Sequence, residues 1–197
     1  MPNSMNILRV LEGQKFVPVV TFNEGDDLKG FAQYLLSIGI ACIEVTLRTD
    51  YALTAIEKLK NQFGQDMAIG AGTVITSKQV EALKEIEIDF IVSPGLSNQV
   101  HAKAMEAEIP FLPGVATPSE IIQAAELEIN VLKFFPAHIN GGLPALKTYA
   151  QVFPEVKFCP TGGINQETSQ DYLALDNVFA VGGSWFQKEF NQNISHR

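Results

Sequence analysis

Val131-Leu132-Lys133-Phe134-Phe135-Pro136 is the stretch on which the reading of this 197-residue chain turns. It is a short apolar run closed by proline, which reads as a buried strand. A helical pattern follows over residues 143–152, so the run is the strand of a strand-helix unit. One lysine sits inside it. An ammonium among apolar neighbours is unfavourable unless it is paired or loses its proton, and burial lowers a lysine's pKa because desolvation disfavours the charged form. A lysine that is neutral part of the time attacks carbonyls and forms Schiff bases. The alternative is a strand-end lysine whose amine snorkels to water.

The same alternation extends in both directions. Strand patterns are read over residues 16–22, 42–48, 68–74, 89–95, 110–116, 131–136, 156–163 and 178–185. Helical patterns fall between them over 26–39, 51–63, 77–86, 98–108, 118–127, 143–152 and 166–173, with Ser77 as the expected cap of the third. A short helix around residues 7–11 opens the chain within segment 1–14, and segment 186–197 reads as a short polar tail. No linker or low-complexity run divides the chain, so residues 1–197 are expected to form a single domain. Strands alternating with helices imply parallel pairing through right-handed crossovers. The expected fold is therefore α/β, a (β/α)8 TIM barrel with tight loops. A doubly wound open sheet competes, weakened by the lack of a G-x-G-x-x-G after the first strand.

Composition narrows the function. A hydrophobic fraction of 46% and a charged fraction of 18% are ordinary for a globular enzyme. A net charge of −8 argues against nucleic acid and anionic membrane as partners. No apolar run approaches the roughly 20 residues of a membrane span, and residues 1–14 lack the pattern of a signal peptide. Cys42 and Cys159 fall inside strand-like runs and read as buried, reduced thiols of a cytoplasmic protein. His101, His138 and His196 are scattered and give no metal-ligand spacing. Neither a metal nor an organic cofactor is expected.

Parallel strands covered on both faces should be nearly all apolar, so polar residues near their C-terminal ends are informative. Glu44, Thr46 and Arg48 alternate and would share one strand face; Glu44 and Arg48 could serve chemistry or form a structural ion pair. Thr73 closes the small run Gly70-Ala71-Gly72, where glycines leave room near the mouth of a barrel or make a packing corner. Ser93-Pro94-Gly95 ends another strand sharply. Thr161-Gly162-Gly163 and Gly182-Gly183-Ser184 each precede a helix, where backbone N–H groups can converge on an anion or simply turn the chain.

The motifs Glu44-Val45-Thr46-Leu47-Arg48-Thr49, Gly70-Ala71-Gly72-Thr73-Val74, Ser93-Pro94-Gly95, Lys133-Phe134-Phe135-Pro136-Ala137 and Pro160-Thr161-Gly162-Gly163-Ile164 together resemble one family. It is the class I 2-keto-3-deoxy-6-phosphogluconate (KDPG) aldolases, grouped with the 4-hydroxy-2-oxoglutarate (KHG) aldolases. The resemblance runs from about residue 17 to residue 185, with every motif in order. It implies a homotrimeric (β/α)8 barrel that cleaves KDPG to pyruvate and glyceraldehyde 3-phosphate, and often KHG to pyruvate and glyoxylate. Its partners would be small 2-keto acids and sugar phosphates. It implies that Lys133 forms the Schiff base, Glu44 moves the protons, and Arg48 and Thr73 hold the substrate carboxylate. Pro94 and Phe135 would line the pocket, and Gly162, Gly163, Gly183 and Ser184 would take the phosphate. The chain departs from the family pattern at Thr21-Phe22, where some relatives carry an arginine. It departs again at His138-Ile139, where well-known members have Glu-Ala, and in a shorter tail after Phe190.

On this reading Lys133 makes the imine, Glu44 deprotonates the C4 hydroxyl, and the C3–C4 bond breaks to an enamine that Glu44 reprotonates. The rival readings are imine chemistry on the galactonate epimer or on a decarboxylating 2-keto diacid, and a barrel that binds a sugar phosphate without turning it over. Binding alone would need neither Lys133 nor Glu44.

Overall fold

The structure is a computed structural model that describes residues 3–195; His196 lies outside the described residues. The chain opens with α1 (Asn3–Val10) and then runs β1 (Phe16–Val20), α2 (Leu28–Ser37), β2 (Cys42–Thr46), α3 (Ala52–Phe63), β3 (Ala68–Gly72), α4 (Ser77–Glu85) and β4 (Phe90–Val92). It continues with α5 (Asn98–Glu106), β5 (Phe111–Leu112), β6 (Gly114–Val115), α6 (Pro118–Glu126), β7 (Val131–Phe134), α7 (Gly142–Val152), β8 (Lys157–Pro160), α8 (Gln166–Leu173), β9 (Val181–Gly183) and α9 (Trp185–Ser195). Among the described residues no helix is long and apolar enough to cross a membrane.

Helix starts follow side-chain chemistry. Asp27 caps α2 by accepting from Gly30 N. The expected serine cap of α4 is instead Thr76, one residue earlier. Thr76 is extended, accepts from Gln79 N, and receives the Gln79 side chain on its own N–H, a reciprocal capping box. Thr117 with Glu120 and Asn165 with Thr168 start α6 and α8 in the same way.

All strand pairs are parallel. The strand order is β5-β4-β3-β2-β1-β9 in one sheet and β6-β7-β8 in the other. Contacts at both ends link their edges. Lys133 N donates to Pro113 O at 2.8 Å between β5 and β6. The isolated bridges Phe158↔Val178 and Thr161↔Gly182 join β8 to the segment leading into and through β9. The parallel sheet is thus curled. A helix follows every strand except β5, which passes to β6 through Pro113 alone, and the buried interior is packed with Phe22, Phe31, Phe90, Phe111, Phe134 and Phe158.

Three expectations are corrected. The strand expected over 110–116 is two short ones, because Pro113 has no N–H for the ladder. Phe111 and Leu112 pair with β4, whereas Gly114 and Val115 pair with β7. The strand expected to reach Arg48 stops at Thr46, although Leu47 N still donates to Gly72 O at 2.8 Å. The polar tail expected over 186–197 is helical up to Ser195. Trp185, Phe186 and Phe190 share an inward stripe that intervening polar residues disguised: Trp185 and Phe186 pack on Phe16, and Phe190 lies 5.3 Å from the Phe31 ring. Gln187 holds the Thr21 peptide, donating to its carbonyl at 2.9 Å, and Tyr34 donates to Glu189 at 3.1 Å.

Candidate active site

β2 and β7 belong to different sheets, yet their central side chains meet. Glu44 is the third residue of β2 and Lys133 the third of β7. Lys133 Nζ donates to Glu44 Oε1 at 3.1 Å and to Oε2 at 3.4 Å. The residues are 5% and 3% exposed, so the amine does not snorkel to water. The ion pair that the sequence allowed between Glu44 and Arg48 is not formed; the Glu44 partner is Lys133.

Glycines make the meeting possible. β3 lies beside β2 with Gly70 opposite Glu44 and Gly72 opposite Thr46. A Cβ on Gly72 would collide with the Glu44 carboxylate, and one on Gly70 would collide with the Phe90 ring. On either side of Lys133 the neighbours in register are Gly114 and Cys159. The Cys159 thiol is fully buried, and burial pushes it up to about 12 even though Lys133 pulls it down. Phe135 places its ring 5.1 Å from Lys133 Nζ, within range of a cation–π contact.

The proposed carboxylate grip follows on from β2 and β3, with Arg48 two residues past the end of β2 and Thr73 one past the end of β3. Arg48 is exposed, and its Nε donates to Thr73 Oγ1 at 3.0 Å. That leaves the outer guanidinium N–H groups for a bidentate contact with an incoming carboxylate. Thr73 has φ 60°. A β-branched residue in the left-handed region is strained, and such strain gathers at ligand clamps. Pro94 is half-buried at the end of β4, where the missing side chain of Gly114 lets the two backbones approach.

The two glycine loops are brought side by side by the Thr161↔Gly182 bridge. Gly162 and Gly163 have φ +99° and +71°, and Gly183 has no room for a Cβ against the Trp185 ring. Ser184 is exposed immediately before α9. The structure therefore gathers Glu44 with Lys133, Arg48 with Thr73, and the two glycine loops with each other.

Some polar groups were not singled out from sequence as substrate ligands. Thr161 and Ser93 are buried polar residues at the ends of β8 and β4, and Thr46 Oγ1 lies 2.7 Å from Thr21 Oγ1. Their signal was available: each is a polar residue in or just after a run of buried apolar ones. Among the described residues, no three His, Cys, Asp or Glu side chains are grouped so as to hold a metal ion.

A buried amine against a carboxylate, with an arginine–threonine pair and two glycine loops at strand ends, is suited to imine chemistry on an anionic keto acid. The comparisons with known proteins point the same way. The KHG/KDPG aldolase of Escherichia coli strain K12 is 39% identical over 169 residues, covering 86% of this chain and 79% of that protein. The 2-dehydro-3-deoxy-phosphogluconate aldolase of Zymomonas mobilis is 41% identical over 169 residues, covering 86% and 80%. The crystal structure of the Legionella pneumophila KDPG aldolase, with pyruvate captured at low pH as a covalent carbinolamine intermediate, superposes with a TM-score of 0.89. It is 40% identical and covers 98% of this chain and 92% of that one. Residues 7–195 match the family model described as KDPG and KHG aldolase, and with that the chain belongs to the KDPG and KHG aldolase family.

Proposed function

We propose that this protein is a class I aldolase, a lyase that cleaves KDPG to pyruvate and glyceraldehyde 3-phosphate and KHG to pyruvate and glyoxylate. The observation that carries this reading is the buried Lys133 amine 3.1 Å from the Glu44 carboxylate. Lys133 attacks the C2 ketone to give a carbinolamine, which loses water to a protonated imine. Glu44 takes the proton of the C4 hydroxyl; the C3–C4 electrons move into the imine, and the aldehyde leaves. The enamine takes the proton back from Glu44 at C3, and water then releases pyruvate and restores the amine. One carboxylate serves in turn as base and acid, which requires that it reach both C3 and C4. Its pairing with the amine in the free protein supports that placement.

Arg48 and Thr73 would hold the C1 carboxylate, fixing the ketone over Lys133. Pro94 and Phe135 would flank the pyruvyl portion. Gly162, Gly163, Gly183 and Ser184 would receive the phosphate on backbone N–H groups and one hydroxyl. The same reading includes closure of the two sheets into a single-domain (β/α)8 barrel, with β5 and β6 as one strand broken at Pro113. The edge contacts between the sheets, and a Lys133–Glu44 contact reaching from one sheet to the other, support it. A cytoplasmic homotrimer completes the proposal on the strength of the family resemblance.

Incubation with pyruvate and borohydride tests the central claim. A reduced pyruvyl adduct should form on the peptide containing Lys133 and be absent from Lys133→Ala. Wild-type protein recovered unmodified would remove the claim. Initial rates on KDPG, its C4 epimer and KHG, measured side by side, then rank the substrates.

A further inference from the structure

The glycine loops supply neutral donors but no charge: residues 161–164 and 181–185 contain neither lysine nor arginine. The turn after β7 brings an imidazole side chain to them. Ala137 N donates to Thr161 O at 2.8 Å and His138 N to Gly162 O at 3.2 Å, so this turn is stitched to the loop after β8. The His138 side chain lies over Gly163; a Cβ there would run into its Cβ, Cγ and Nδ1 atoms. Gly163 is also left-handed at φ +71°, so backbone and ring both require glycine. His138 is exposed, and among the described residues its imidazole has no hydrogen-bond or ion-pair partner. Both ring nitrogens are therefore available to a ligand seated on the glycine loop.

We infer that His138 is a specificity residue for the far end of the substrate, a ring N–H of its imidazole donating a hydrogen bond, charge-assisted by the acceptor, to the phosphate. The inference rests on the proposed phosphate role of the glycine loops. It assigns to His138 the selectivity between a phosphorylated aldehyde half and a short one, because a glyoxylate-sized half ends before reaching the turn. Lys188, exposed on α9 one turn beyond Ser184, is the competing donor.

The test is steady-state kinetics of the full chain on KDPG and KHG for wild type, His138→Gln, His138→Lys, Ser184→Asp and Lys188→Gln. Loss of one charge-assisted hydrogen bond should raise the KM of His138→Gln for KDPG roughly tenfold, with a smaller change in kcat. The KDPG-to-KHG ratio of kcat/KM should fall with it, and His138→Lys should recover most of the loss. A KDPG KM for His138→Gln within roughly twofold of wild type, alongside impairment in Ser184→Asp, overturns the role of His138 and leaves the phosphate reading standing. Neutrality of both variants overturns both readings. Equal losses on the two substrates without rescue by lysine, or a loss found in Lys188→Gln instead, also overturn the inference.

Discussion

Gly72→Ala is the sharpest test of how the site is built. A Cβ at Gly72 would collide with Glu44 Oε1 and stand 2.7 Å from Cγ and 2.8 Å from Cδ, when real Cβ atoms essentially never come under 3.0 Å. Turning the carboxylate about its last bond would move Oε1 but leave the Cγ and Cδ contacts in place. An inner torsion must change, and the carboxylate then leaves its 3.1 Å contact with Lys133. The backbone tolerates the substitution, since Gly72 is not left-handed, and alanine should even contribute ~0.4–1 kcal/mol by restricting the unfolded chain. Losing a buried pair costs about 3–5 kcal/mol, so the net destabilisation should be roughly 2–4.6 kcal/mol. Turnover should fall at least ~100-fold, or about 2.7 kcal/mol of transition-state stabilisation, because the acid-base group is displaced. Denaturant unfolding and single-turnover cleavage measure the two quantities. The double variant Gly72→Ala/Glu44→Gln should lose little more activity than Glu44→Gln alone, because both changes act through one carboxylate. A variant folded like wild type with kcat within roughly threefold of it, or losses that simply add, would refute the reasoning.

Glu44→Gln alone should still form the borohydride-trapped adduct, if slowly, and lose roughly 100-fold or more in turnover; near-normal turnover would leave Glu44 structural. Burial pushes the Cys42 and Cys159 thiols up to about 12, so neither should react with a thiol reagent at pH 8 until the protein unfolds, and rapid labelling of the native chain would contradict their placement. Burial alone would raise the Glu120 carboxyl, but hydrogen bonds from Ala116 N, Thr117 N and the Thr117 hydroxyl outweigh it and hold the group below its ordinary 4.5. A depressed carboxyl contributes stability above its ordinary pKa that is lost as pH falls through the lowered one. Glu120→Gln should therefore be less stable than wild type at pH 7 by ~1 kcal/mol, a typical capping effect, with the gap closing below pH 4.5; a gap independent of pH would show that charge is not involved.

Much of this architecture is legible before any coordinates. The strand-helix alternation follows from apolar runs of strand length separated by amphipathic ones, and α8 falls on residues 166–173 as the spacing predicts. Lys133 and Glu44 stand out because each is ionisable inside a buried run. Their contact does not follow from local sequence: 89 positions separate them, and the two strands meet only because the sheet curls. The Pro113 break was readable in principle, since proline cannot donate to a ladder, but the division of partners between β4 and β7 depends on curvature. The α9 stripe was hidden by composition. Gln187, Lys188 and Glu189 made the segment look polar, whereas Trp185, Phe186 and Phe190 decide its packing. The left-handed Thr73 runs against its β-branched preference, and no sequence rule would place it there.

That Thr73 conformation belongs with the other local costs of the site, and they fall close together. β3 carries Gly70 and Gly72, two residues that weaken a strand, and then a strained threonine. Each cost has an identifiable return in a side chain from a neighbouring strand or its end. Empty space at Gly70 admits the Phe90 ring that backs the interior. Space at Gly72 admits the Glu44 carboxylate that meets Lys133, and the strain at Thr73 aims its hydroxyl at Arg48 Nε. The buried ion pair is itself weak evidence for stability, because desolvating two charges offsets most of their attraction. A chain selected for stability alone would fill β3 with branched residues and replace the pair with apolar side chains of similar volume. Here the destabilising choices converge on one carboxylate, one amine and one arginine, and the surrounding fully buried phenylalanines and branched aliphatics supply the stability that lets them stand.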